Sequence, residues 1–137
     1  MATYNKFQQT VEDWMEGVYT ASTDQFTVAL CTNANAPVAT NSVLADLTEI
    51  SYTNLSTQNI TTASSGQTTG TFTQLFTDLV LTASGAVATF RHVVVYNNTP
   101  TSPANPLLCW FDYGSDLTLA TSETLTLNWT TSSFTVV

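Results

Sequence analysis

The run ETLTLNWT, residues 123–130, alternates without a break, setting Leu125, Leu127 and Trp129 against Thr124, Thr126 and Asn128. A period of two sends successive side chains to opposite faces of an extended chain, so the run reads as a strand with one inward and one outward face. Similar runs recur between turn signals. QFTVALCT (25–32), TFTQLFTDLVLTA (71–83), VATFRHVVVYNN (87–98), LLCWFDYG (107–114) and the closing SFTVV all read as strands, and residues 51–62 as one or two weaker ones. In 71–83, Leu75, Leu79 and Leu81 share one face, and Phe72, Phe76, Asp78 and Val80 the other. ASSGQTTG (63–70) is expected as a turn or loop, Ser84-Gly85 as a turn, and TPTSPANP (99–106), with three of the four prolines, as a loop. Residues 33–50 read as an excursion with a short helical turn at 42–46.

Only the start has a helical period. Tyr4, Phe7, Val11, Trp14 and Val18 recur at spacings of three and four, with Gln8, Gln9, Glu12, Asp13 and Glu16 mainly opposite. Thr3 is placed to cap this helix and Gly17 to mark its stop. Its acids oppose the helix dipole, so packing must hold it, either on the chain's own sheets or on a partner chain. Tyr4, Phe7 and Trp14 are the candidate contacts.

The expected fold is all-β: one domain over residues 1–137, with an amphipathic helix within 1–20 and a jelly-roll-like β-sandwich over 25–137. Threonine occurs 28 times, and its β-branched side chain suits a pleated surface.

Charge narrows the classes of partner. Lys6 and Arg91 are the only Lys and Arg, against 10 acids, for a net charge of −8. Neutralising phosphates takes several cations, so nucleic acid and anionic membranes are poor partners. No apolar run approaches the ~20 residues that span a bilayer, and the start lacks a cationic patch and apolar core of the signal-peptide kind, so the chain reads as cytoplasmically made. Sheet edges are normally guarded by charge, so sparse charge points to edges that are closed, covered or paired with another chain.

The residues offer little for catalysis. His92 is the single imidazole, and no G-x-S-x-G elbow accompanies it or either cysteine. One His and two Cys are too few for a usual structural zinc site, and neither a Gly-rich phosphate loop nor a D-x-D-x-D-G ladder is present. Cys31 and Cys109 read as buried thiols or as a disulfide. In CWFDYGSD, Asp112 and Asp116 with Trp110, Phe111 and Tyr113 admit a sugar-binding surface, but alternation divides the aromatics between two faces, and an Asp-x-Gly turn explains the run. The four N-x-[ST] sites, at Asn54, Asn59, Asn97 and Asn128, match roughly what chance gives in so hydroxyl-rich a chain. The chain is expected to be non-enzymatic, with no cofactor, catalytic residue or metal site.

FRHVVVYNN (90–98) holds both His92 and Arg91. Alternation sets Phe90, His92, Val94 and Tyr96 on one face and Arg91, Val93, Val95 and Asn97 on the other, unless the strand bulges. An Arg near a core needs a partner. Asp78 and Asp112 are the candidate carboxylates, and a contact to a neighbouring subunit is the alternative. His92 is expected to bond a neighbour at the core edge.

Four segments together, TYNKFQQTVEDWMEGVY, FTVALCTNANAPVATNSVLADLTEI, FRHVVVYNNT and PLLCWFDYGSDLTLATSETLTLNW, resemble small structural proteins of tailed bacteriophages. The resemblance runs through most of the chain and is weakest over 51–70. It implies a virion component, foremost a head cement or decoration protein on the capsid surface, with the major capsid protein and copies of itself (a dimer or trimer) as partners. A tail or fibre component is the alternative within virions, and a carbohydrate-binding β-sandwich module the alternative outside them. The family offers no active-site residues.

Overall fold

A computed structural model describes residues 2–129 and 134–136. Thr130, Ser133 and Val137, which fall in expected strands, lie outside the described residues. Within these bounds the protein is an antiparallel all-β fold with one α-helix.

The largest sheet has five strands in the order β1-β8-β7-β2-β3. They span Thr3–Lys6 (β1), Phe26–Cys31 (β2), Asn59–Ile60 (β3), Phe90–Asn97 (β7) and Leu107–Leu117 (β8). A second sheet, β10-β5-β4, joins Phe134–Val136 (β10), Thr71–Phe76 (β5) and Thr62–Thr68 (β4). A third pairs Leu79–Thr82 (β6) with Thr124–Leu127 (β9). Nothing in these strand orders identifies a jelly roll.

Every residue of β2 is buried. The five-stranded sheet has apolar cover on both faces, so its central strands read as continuous apolar runs. On one face Phe26, Val28, Leu30, Val93, Val95 and Cys109 meet Phe76, Leu81, Val87 and Trp129. On the other, Ala29, Cys31, Val94, Tyr96 and Trp110 meet Phe7, Ala39, Leu44 and Leu47. The excursion over 33–50 is thus the lid of the second face, and its expected helical turn is the 3-10 turn Leu44–Asp46.

The start departs from expectation. The helix α1 runs only from Gln9 to Met15, and Thr3–Lys6 is strand β1, paired with β8. Thr3 is therefore a strand residue and not a cap; the cap position is Gln8, whose side chain makes no capping bond. Val11 and Met15 face solvent, and the helix buries Thr10 and Asp13 instead. The reason is a bulge in β8. Val95 pairs Cys109 while Tyr96 pairs Leu107, so Leu108 is an extra residue there. Thr10 Oγ1 donates to the carbonyls of Leu107 and Leu108 at 3.0 and 2.8 Å, and the Tyr19 hydroxyl donates to Leu107 O at 2.8 Å. Polar bonds to an irregular strand thus dock this helix, where a period count looks for an apolar stripe.

Two further departures follow from local breaks. Residues 71–83 form two strands, β5 and β6, separated at Thr77 and Asp78. The break resets the alternation, so Phe76 and Leu81 enter the same core while Val80 is exposed. Residues 63–70, expected as a loop, are mostly β4, and the turn contracts to Thr69 and Gly70, both at positive φ (51° and 83°). Two consecutive residues at positive φ form the tight hairpin turn whose twist matches its flanking strands. The Ser84-Gly85 turn forms as expected; a Cβ on Gly85 would lie 2.7 Å from Asn54 Nδ2.

Candidate functional site

The chain's one arginine and one histidine meet Asp112 where β7 and β8 lose register. Phe90 pairs with Leu117, and two residues later His92 pairs with Asp112, so Tyr113–Asp116 loop out of the ladder. Gly114 at φ 92° permits the loop, and its N–H donates to Asp112 Oδ1 at 2.8 Å. The expected Asp-x-Gly turn is thus built inside β8.

The arginine's partner is Asp112. Arg91 Nε donates to Asp112 Oδ1 at 2.7 Å and Nη2 to Oδ2 at 3.0 Å, a two-point fork on one carboxylate. Arg91 and the Gly114 N–H hold the Asp112 carboxyl at about 2, well below the usual carboxylate range. The pair lies at the surface, with side-chain exposures of 26% and 29%, so the expectation of an arginine near the core is corrected. The register break turns Arg91 outward and moves Phe90 into the core beside Val93 and Val95, off the face of His92. Asp78, the other candidate, instead accepts from the Trp129 backbone N–H at 2.8 Å and anchors the end of β9.

His92 is buried at 4% exposure, and neither ring nitrogen has a hydrogen-bond partner among the described residues, against the expectation of a bonded imidazole. Burial lowers its pKa, with Asp112 acting in the opposite sense. Pairing places Thr3, Asp112, His92, Cys31 and Glu49 in one row across the sheet. His92 nevertheless bonds neither cysteine, and no group of three or more His, Cys, Asp or Glu among the described residues is arranged to hold a metal. Both cysteines are free and buried on opposite faces of the sheet. Burial pushes the Cys31 thiol up to about 11 and the Cys109 thiol up to about 12, so both stay protonated at neutral pH.

The aromatic contact candidates separate. Phe7 is fully buried, its ring centroid 4.5 Å from that of Trp110, so it is a core residue and not a partner contact. Trp14 is half-buried against Tyr19 and Phe72, at centroid distances of 4.9 and 6.0 Å. Only Tyr4, on the edge strand β1, stays 49% exposed, with its ring edge-on to Phe111. In the WFDYG run Trp110 is buried and Tyr113 is 46% exposed, so the run does not present its aromatics as one platform.

Sequence reading missed Thr10, Asp13 and Tyr19, which join α1 to the bulge in β8. Thr10 and Asp13 are polar helix residues outside the apolar period, and Tyr19 lies beyond the helix end, where the period does not reach. Comparison with known proteins finds no matching family model, no matching curated protein and no matching solved structure.

Proposed function

We propose that the chain is a non-enzymatic structural protein of a tailed-phage virion, foremost a head cement or decoration protein that binds the major capsid protein lattice. One observation carries the reading. The four segments that resemble phage structural proteins supply β1, α1, β2, β7 and β8, which lie side by side in one sheet with the helix docked on β8, and also β9, which pairs with β6 in a separate sheet. The resemblance thus takes in four of the five strands of the largest sheet.

The surface chemistry supports the same reading. Binding a lattice takes extended contact surfaces and a rigid domain more than a cleft. Tyr4 sits exposed on an edge strand, where an amphipathic ring adds contact area at little entropic cost. The reactive side chains are spent on structure: Arg91 and Asp112 close a strand irregularity, and both thiols are buried and protonated.

Co-sedimentation with expanded capsids of the phage that encodes the chain tests the proposal. Saturable binding that raises the capsid's melting temperature is the expected result. Failure to bind, with no gain in capsid stability, sinks the cement reading.

A further inference from the structure

The sheet edges of this protein are unequally protected. Strand β1 ends at Lys6, β3 is two residues long, and β9 follows directly on Glu123. The outer side of β6 is covered by residues 54–56, through Ser56 N to Thr82 O at 3.0 Å and Ser84 N to Asn54 O at 2.8 Å. Short strands, flanking charges and covering segments are the usual means of preventing unplanned pairing. Strand β4 has none of these among the described residues. It is seven residues long, has β5 on one side only, and makes no backbone bond from its other side among the described residues.

Three properties of β4 bear on what covers it. No charged residue occurs between Glu49 and Asp78, or after Glu123, so the whole β10-β5-β4 sheet is neutral. Ser64, Gly66, Gln67 and Thr68 are exposed, which opens both faces of the strand, and the bulge that interrupts pairing lies at its base, between Thr62 and Ser64. Ser64–Thr68 is left as an edge of uncharged residues in unbroken register with β5. Two copies with net charge −8 repel over most of their surfaces, and this sheet is where that repulsion is weakest.

We propose that β4 pairs antiparallel with β4 of a second copy, joining two three-stranded sheets across a two-fold axis. Such an interface is isologous, each edge meeting an identical one. The inference rests on reading the chain as a self-assembling virion component, and it names the surface. Centred on Gly66, the pairing sets Ser64 against Thr68 of the second copy and Ser65 against Gln67, cross-strand neighbours of the hydroxyl and amide kind. The two Gly66 residues then face one another. A Cβ at Gly66 meets nothing within 4 Å, so substitution there leaves the protomer's own packing intact.

Analytical ultracentrifugation of the wild type, Gly66→Lys and Gly66→Ser tests the pairing, with circular dichroism to report folding. The wild type and Gly66→Ser are expected to dimerise through this edge. Gly66→Lys sets like charges opposite one another and is expected to lower the association constant at least tenfold with an unchanged spectrum. Ser65→Lys gives a second reading of the same edge. A wild type that stays monomeric, or Lys variants that associate normally, overturns the inference, as does loss of association only when the spectrum shows unfolding. Capsid binding by a monomer overturns the pairing alone, and a β4-dependent dimer that binds no capsid overturns the proposed function alone.

Discussion

At the scale of single residues, the Arg91–Asp112 fork and the buried His92 give opposite kinds of electrostatic contribution at one register break. Asp112 is stabilised as a carboxylate, so its contribution is complete above the ordinary carboxylate pKa of 3.8 and is lost as pH falls toward about 2. His92 is stabilised as neutral imidazole because burial disfavours its charged form. Its folded pKa lies below the ordinary value of 6.5, so stability is present above that pH and declines as pH falls through it. The groups that modulate it, Asp112, Arg91 and Asp116, flank the same break. Melting temperature is expected to hold steady from pH 8 to 7 and to fall below ~6.5; in His92→Leu the fall is expected only in the carboxylate range. A wild-type profile flat down to pH 5 would count against this account. The two sides of the ion pair are also expected to differ. Asp112→Ala loses both the Arg91 fork and the acceptor for Gly114 N–H, whereas Arg91→Met loses only the fork. Thermal melts should therefore rank Asp112→Ala as the more damaging, and the reverse order would show that the Asp-x-Gly turn does not need its carboxylate.

At the scale of elements, what the sequence revealed depended on whether alternation ran uninterrupted. The inward Leu125, Leu127 and Trp129 of ETLTLNWT are the more buried set, and the apolar runs at 25–32 and 107–114 are strands as expected. Most of the misplaced core residues lie where a period is reset. The break at Thr77 and Asp78 moves Val80 outward, the irregularity after Phe90 moves that ring to the other face, and the bulge at Leu108 creates the carbonyl sites that dock α1. A bulge adds one residue and leaves no compositional mark, so pattern reading passes over it. The β4–β5 hairpin was hidden for a related reason: its positive-φ turn is Thr-Gly, without the Asn-Gly or Asp-Gly signature. The candidate site was half legible. That Arg91 needs a partner was legible, with Asp78, Asp112 and a neighbouring subunit as candidates; the choice of Asp112 and the half-buried position of the pair depended on the register break. The helix gives the matching test. Thr10→Val keeps shape but takes the hydroxyl donor from the Leu108 carbonyl, while Leu107 keeps the Tyr19 hydroxyl, and is expected to cost ~1–3 kcal/mol in urea unfolding. Val11→Gln, on the exposed side, is expected to change stability by less than ~0.5 kcal/mol. Equal effects would show that the apolar period governs the docking after all.

At the scale of the whole molecule, the five-stranded sheet, the neutral three-stranded sheet and the sparse charge answer different needs. The five-stranded sheet is buried on both faces and supplies rigidity. The three-stranded sheet is uncharged and leaves one long edge open, so contact with other chains is expected to concentrate there and on the exposed Tyr4 of β1. A density map of the virion to which the proposal assigns the chain tests the central claim most directly. The expected result is density with the shape of this domain repeated over the outer face of the capsid lattice, in contact with the major capsid protein. A map that places the domain only in the tail or fibres contradicts the head cement reading, and one that lacks it throughout the particle contradicts a structural role in the virion altogether.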